Sequence, residues 1–165
     1  MNRQSPAVVD STMPGISDKL HDIKWERAGI LYARVALGVA FLSAVASRFG
    51  LWDGVLDLKH FVSFIEYAAE VNSFLPRTLI PTVAVLATLC ETALGILLIL
   101  GLWPRWVSLG SAVLLAMFGT AMAISFGLKS PMDYSVFSAS GASILLALDA
   151  SRRKDPNSRN EGSRT

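Results

Sequence analysis

The sequence predicts an all-α membrane protein, with four transmembrane helices in an antiparallel bundle and an amphipathic interfacial helix between spans one and two. Two observations carry this fold class. The chain contains four long apolar runs that hold few charges. It is 52% hydrophobic with a mean hydropathy of +0.46, above the apolar share of about 45–50% that soluble domains have. Its 165 residues suit one compact unit.

The four runs are Ala28–Phe49, Pro81–Leu102, Val107–Phe126 and a shorter one from about Tyr134 to Leu148. As helices, the first two would each measure about 33 Å, enough to cross a hydrocarbon core of roughly 30 Å. The fourth is rich in serine, alanine and glycine, which predicts close packing against its neighbours rather than contact with lipid. Further positions of close helix approach are expected at Gly38, Gly95, Gly110 and Gly119.

The expected organisation is a cytoplasmic N-terminal segment (1–27), a transmembrane domain (28–150) and a disordered basic cytoplasmic tail (151–165). Outside the spans, ten arginines and lysines fall on one side of the bundle, and only Lys59, Arg77 and Lys129 on the other. The positive-inside rule therefore predicts a multi-pass protein of the plasma (cell inner) membrane with both termini in the cytoplasm. The first 27 residues contain no apolar stretch of seven, so a cleavable signal peptide is not expected.

The charge and cysteine content exclude several classes of function. The net charge is only +2, and no basic patch is interleaved with aromatic residues, so the expected partner is the lipid bilayer rather than nucleic acid. The single cysteine, Cys90, excludes an intrachain disulfide and a Cys-X-X-Cys redox pair. Both histidines, His21 and His60, lie outside the spans, so no histidine pair within the membrane can ligate a haem.

The connection from Gly50 to Ile80 is the only long one, and it contains an amphipathic helix over Leu58–Leu75. The residues expected on its apolar face are Leu58, Phe61, Ile65, Ala68 and Ala69. Such a helix lies at the outer membrane surface or packs over the mouth of the bundle. In either case it forms a lid over the outer ends of the spans.

Glu91, near the middle of the second span, is the first candidate for chemistry because a carboxyl group at this depth is costly without a partner. It serves either as a structural pair between helices or as a proton-handling or ligand-binding group. Arg34 and Arg48 lie 14 residues apart on span one, so they are within about 40° of each other around the helix axis and share one face. The expected heights favour Arg48 as the partner of Glu91, whereas Arg34 is expected to snorkel to the inner interface.

Asp133 and Tyr134 complete the candidate ligand or ion-pair set of Glu91, Arg48 and Arg34. Asp133 most simply caps the fourth helix. Alternatively, it is an outer carboxylate that joins Arg48 and Glu91, with Tyr134 beside it. No cluster has metal-site spacing, so the chain is expected to hold no cofactor of its own, and whether it is an enzyme is left open.

Two motifs resemble the DoxX family of small four-span membrane proteins, which is related to the small DoxD-type subunit of thiosulfate:quinone oxidoreductase. They are Arg34-Val-Ala-Leu-Gly38-Val-Ala-Phe41, followed by Arg48, and Glu91-Thr-Ala-Leu-Gly95-Ile-Leu-Leu-Ile-Leu-Gly101. The resemblance covers roughly Ala28 to Ala150, and a lysine is more usual in the family where this chain has Arg48. It implies a four-helix membrane bundle associated with redox processes at the quinone pool.

Three functions compete at this point. The leading hypothesis is an accessory or quinone-interacting subunit of a membrane redox complex, with redox-complex subunits as partners and a quinone as the ligand near Arg48, Glu91 and Asp133. The second is a structural or assembly membrane protein in which the charges only lock the bundle. The third is a small transporter, which would need to form a homo-oligomer because four spans show no convincing inverted repeat.

Overall fold

A computed structural model describes residues 16–54 and 56–154, with side chains over 24–54 and 56–153. Over these residues the regular structure is all helical. The long helices are α1 (Ile16–Arg48), α2 (Leu58–Val71), α3 (Ile80–Leu100), α4 (Pro104–Phe126) and α6 (Val136–Lys154), with a short α5 (Lys129–Asp133) and two 3₁₀ turns, Leu51–Asp53 and Arg77–Leu79.

Among the described residues, three segments are long and apolar enough to cross a membrane: Lys24–Arg48, Arg77–Leu100 and Pro104–Phe126. The fourth bundle helix, α6, has 19 residues and is much less apolar than these three, because it carries several serines and a charged last turn. The predicted fold class, an all-helical multi-span membrane protein, is therefore confirmed. The count of four spans stays a prediction.

The bundle consists of two helix pairs, α1 with α3 and α4 with α6. In the first pair the backbones meet at Gly38 and Gly95, where a Cβ on Gly38 would lie 2.8 Å from the Gly95 carbonyl oxygen. In the second pair a Cβ on Gly119 would lie 2.7 Å from the Phe137 ring. A Cβ on Gly110 would meet Leu94 only at 3.4 Å, so this glycine is not required for close packing.

The predicted and observed boundaries differ at several helix ends. Helix α1 begins at Ile16, twelve residues before the predicted start at Ala28, because the amphiphilic segment before the apolar run continues the helix. Helix α6 runs to Lys154, so the first four residues of the predicted disordered tail are helical. The remainder of that tail, 155–165, lies outside the described residues. Arg153 lies 3.8 Å from Glu26, so the start of the apolar part of α1 and the end of α6 lie at the same end of the bundle.

The predicted amphipathic helix is α2, and it packs against α1, α3 and α4. Its N-terminal part is held by stacking of Phe61 on Phe49, with ring centroids 5.6 Å apart. At its C-terminal end, the Ser125 hydroxyl of α4 donates a hydrogen bond to the Val71 carbonyl at 2.6 Å. Leu58, at the start of the predicted apolar face, is 70% exposed, so it does not belong to the face that packs against the bundle. The face turns instead through Phe64 and ends at the buried Val71.

Exposed aromatic residues mark both ends of the bundle. Trp25, Trp103 and Trp106 lie around one end and are each more than 60% exposed. Trp52 and Tyr134 are exposed at the opposite end. Tryptophan and tyrosine favour the two interfaces of a bilayer, so the belts agree with a bundle that crosses it. Below, the two ends are called the Arg34 end and the Arg48 end, after the arginine of α1 that lies near each.

Candidate functional site

Arg48, the last residue of α1, forms a buried ion pair with Glu91 of α3. Its Nη2 lies 2.6 Å from Glu91 Oε1, and the two side chains are 10% and 2% exposed. The heights expected from the sequence favoured this pairing of Glu91 with Arg48 over a pairing of Glu91 with Arg34. A charged pair so little exposed is held by good geometry and further hydrogen bonds, since desolvation of both groups opposes it.

Two neighbours of this pair were missed from the sequence. Thr88 accepts a hydrogen bond from Arg48 Nη1 at 2.8 Å and donates one to the Ala84 carbonyl at 2.8 Å. The Phe64 ring of α2 covers the guanidinium, with Cζ 3.9 Å from the ring centroid. Thr88 is three residues before Glu91 and shares its helix face, so the spacing could have identified it. Phe64 could not be identified in this way, because its position depends on how α2 packs.

The ion pair leaves polar atoms without partners. Glu91 Oε2 is buried and accepts no hydrogen bond from any described residue. Arg48 bonds Glu91 and Thr88 through one N–H on each terminal nitrogen. Since a guanidinium carries five N–H groups, three remain for another acceptor. Buried polar atoms are normally paired, so this end of the bundle has both an acceptor and donors to offer a bound molecule.

A cavity of about 910 Å³ adjoins Arg48 between α2, α3 and α4. Its wall is mostly aliphatic and aromatic, and includes Phe64, Tyr67, Val83, Ala87, Ala116 and Met117. Arg48 is the one charged side chain among the described residues that line it. Met117 and Ile124, each 63% exposed, belong to the same wall, so the cavity reaches the outer surface of the bundle. Its size falls within the usual range for ligand pockets, about 300–1,000 Å³.

Tyr67 and Tyr134 line the cavity at the edge of the bundle. Burial, the neighbouring Tyr134 and Glu70 together raise the pKa of the Tyr67 hydroxyl, in that order of importance. The hydroxyl therefore stays protonated at neutral pH and can donate a hydrogen bond. Tyr134 itself is 71% exposed and, within the described part of the chain, makes no hydrogen bond with the ion pair.

Asp133 and Arg34 lie elsewhere. Asp133 pairs with Lys129 one turn earlier in α5, and α6 begins only at Val136, so Asp133 does not cap that helix. The turn between α5 and α6 places Ser135 in the left-handed region, with φ 54°. The guanidinium of Arg34 donates to the carbonyls of Leu98 and Ile99 at 3.0 and 3.4 Å, so it caps the C-terminus of α3 rather than extending freely to the interface.

Within the described ranges, no three His, Cys, Asp or Glu side chains come together as a group that could hold a metal ion. The chemical resources of the site are therefore an arginine–glutamate pair, tyrosine hydroxyls and an apolar cavity. This fold and this site define a small multi-pass membrane protein with a mainly apolar cavity beside a buried ion pair.

A family model described as methylamine utilisation protein MauE matches residues 26–133, about two thirds of the chain. The chain belongs to the MauE family. The match runs from the first apolar turns of α1 to the end of α5 and so includes the ion pair and α2. No curated protein and no solved structure matches the chain. The predicted membrane class is thereby confirmed, whereas the family that the match shows is MauE and not the DoxX family that the two motifs resemble.

Proposed function

We propose that this chain is an accessory membrane subunit of a redox system, in which it binds a quinone-class molecule in the cavity beside Arg48. The observation that carries the proposal is the joining of a large apolar cavity to a single guanidinium with spare N–H groups. A quinone has an apolar ring and tail and two carbonyl acceptors, so it matches both parts of this site. A quinone supplies two-electron, two-proton chemistry, and the electrons would come from a partner protein.

The chain's own part in this function is to bind and orient. A free N–H of Arg48 would donate to one carbonyl, and the Phe64 ring covers one face of the guanidinium and keeps it in place. Tyr67, whose hydroxyl stays protonated, offers a second donor on the cavity wall. Glu91 holds the charge on Arg48 and fixes its direction, so it is a positioning residue here.

The family description suggests which system is served. MauE is described as a methylamine utilisation protein, so methylamine oxidation is the process that we assign to this chain first. The resemblance to DoxX, with its link to thiosulfate:quinone oxidoreductase, stays a prediction, and it is what suggests a quinone as the ligand. Deleting the gene in the native host and complementing it with wild type tests the assignment, with methylamine-dependent respiration as the readout. Unchanged respiration after deletion would contradict it.

Ligand binding is tested directly by blocking the cavity. Ala116→Phe adds a ring to the α4 wall, whereas Ala40→Phe adds the same ring at an exposed position of α1 away from the cavity. Decylubiquinone should raise the melting temperature of wild type and Ala40→Phe in lipid nanodiscs. It should bind Ala116→Phe at least about tenfold more weakly, because the ring occupies the ligand's volume. Ala87→Phe, on the facing helix, provides a second blocked variant. Equal binding to all four proteins would exclude the cavity as the site.

A structural or assembly protein is the second candidate, and one observation favours it. Arg48 alone connects three helices, through Glu91 and Thr88 of α3 and Phe64 of α2. On this hypothesis Glu91→Gln lowers protein abundance and thermal stability, while quinone-linked electron flow per molecule of protein is unchanged. Under the ligand hypothesis, electron flow per molecule falls as well. Unchanged flow with normal protein levels would contradict a functional role for Glu91.

A further inference from the structure

A second cavity, of about 330 Å³, lies at the Arg34 end between α1, α4 and α6. Its lining contains three arginines, Arg27, Arg34 and Arg153, with Asp149 as the one carboxylate among the described lining residues. The cavity is separate from the quinone site, which is at the opposite end of the bundle. Its net positive charge indicates an anionic ligand.

Contacts at helix ends account for two of the three arginines around this cavity. Arg34 caps the end of α3, and Arg153 pairs with Asp149 at 2.8 Å within the last turns of α6. Arg27, however, makes no ion pair or hydrogen bond with the described side chains, although it lines the same cavity. Arg27 is exposed on α1, and its positive charge adds to those of Arg34 and Arg153 around the cavity, so all three would attract a bound anion.

Ser108 provides an independent indication of a ligand. This residue of α4 is fully buried, it forms part of the cavity lining, and its Oγ has no hydrogen-bond partner among the described residues. Serine hydroxyls in helices commonly donate to the carbonyl four residues earlier, as Ser111 does to Val107. Ser108 makes no such bond, so the lining of the cavity contains a buried hydroxyl with unused hydrogen-bonding capacity.

We infer that this cavity binds a phosphate group. Three arginines and a hydroxyl match its several acceptor oxygens, since guanidinium groups recognise phosphate through paired N–H donors. The wall also contains Leu31, which is 55% exposed on α1, so an acyl chain could lie along the helix from the same place. The phosphate belongs either to the head group of an anionic phospholipid or to a free phosphate ion. Basic pockets between membrane helices bind such head groups in general.

The experiment compares Arg27→Gln with Arg152→Gln. Both remove one positive charge at the same end, but Arg152 lies outside the cavity lining. Retention of dioleoylphosphatidylglycerol is measured by native mass spectrometry after release from nanodiscs, with phosphatidylcholine as the reference lipid. Wild type should retain phosphatidylglycerol at least about fivefold better, and Arg27→Gln should lose about fivefold, since one basic residue at the surface contributes about 1 kcal/mol. Arg152→Gln should change retention less than twofold.

A second variant and a second probe complete the test. Ser108→Ala should weaken retention about threefold while leaving the melting temperature without lipid unchanged, because the hydroxyl bonds nothing else in the described part of the chain. Inorganic phosphate is titrated in place of lipid, and stabilisation that depends on Arg27 would assign the site to free phosphate. Equal losses for Arg27→Gln and Arg152→Gln, or no Arg27-dependent binding of either probe, would overturn the proposal.

Discussion

Arg34 and Arg48 lie on the same helix and reach the same neighbouring helix, yet they bind different groups. Arg34 donates to two backbone carbonyls at the end of α3, which carry only partial charges. Arg48 binds the full charge of Glu91 inside the bundle. The first contact can form wherever a helix ends near an arginine. The second requires that a carboxylate be placed in a nearly water-free site, at a cost that the packing of α1, α2 and α3 must offset.

The difference separates two kinds of arginine in membrane helices. At the Arg34 end the arginine completes a helix terminus, and neighbouring arginines line a small cavity. At the Arg48 end the arginine is covered by Phe64 and adjoins a large apolar cavity. Substitutions at the two ends should therefore have effects on stability that differ in magnitude as well as in cause.

Glu91→Gln should have the largest effect on stability. It removes the counter-charge of Arg48 while keeping the shape of the side chain, so a buried guanidinium is left without compensation. We expect a loss of about 3 kcal/mol in the free energy of unfolding, as for other broken buried pairs. Reversible unfolding in mixed micelles of detergent and denaturant measures it. A loss below about 0.5 kcal/mol would mean that the pair contributes nothing to the bundle.

Gly95→Ala should have the next largest effect, because it separates the two helices that carry both arginines and their partners. The new Cβ would lie 2.9 Å from Leu42 Cγ and 3.1 Å from the Gly38 carbonyl oxygen. Overpacking of this kind costs about 1–3 kcal/mol. Gly29→Ala is the matched control, since nothing lies within 4 Å of its Cβ. The control should be neutral or slightly stabilising, and equal melting temperatures for the two variants would contradict the close crossing.

Arg34→Lys should cost about 1 kcal/mol, less than any change that breaks the Arg48 pair. Lysine keeps the charge near the C-terminus of α3 but cannot donate to two adjacent carbonyls with the fixed geometry of a guanidinium. Arg27→Lys serves as the control in protein without added lipid, because Arg27 has no ion-pair partner in the described part of the chain. If Arg34→Lys unfolds at the same temperature as this control, the cap has no energetic role.

Phe64→Leu should have the smallest effect, about 0.5–1 kcal/mol from loss of the ring over Arg48. Leucine preserves most of the apolar contact of α2 with α3. The informative measurement is a double-mutant cycle with Arg48→Met, which isolates the interaction between ring and guanidinium. A coupling energy indistinguishable from zero would show that Phe64 acts by packing alone.

The helices of the bundle were predictable because the bilayer fixes the length and polarity of a span. The pairing of Arg48 with Glu91 followed from helix period and height, two quantities that regular helices preserve over many residues. Asp133 was predicted to cap the fourth helix because an acidic residue before an apolar run is typical of a helix N-cap, but it does not cap α6. Its real partner, Lys129, is equally local, and the left-handed turn at Ser135 decides between them.

The cavities and the contacts of α2 could not be predicted in the same way. Whether α3 and α4 leave a space of about 910 Å³ depends on how the two helix pairs pack against each other. The residue pattern within either helix does not predict that packing. The position of Phe64 over Arg48 depends on the direction in which α2 crosses the bundle. Arg27 and Ser108 are far apart in sequence and come together only through the packing of α1, α4 and α6.

The attachment of α2 at both ends affects the route by which a ligand can reach the cavity. Because Phe61 stacks on Phe49 and the Val71 carbonyl accepts a hydrogen bond from Ser125, α2 is held at both ends, and we expect it to stay in place when a ligand enters. A molecule that reaches the cavity past Met117 and Ile124 must first dissolve in the bilayer. Its apparent affinity should then follow its mole fraction in lipid rather than its concentration in water. Adding empty liposomes, which dilute the ligand within the membrane phase, should therefore reduce occupancy at constant total concentration.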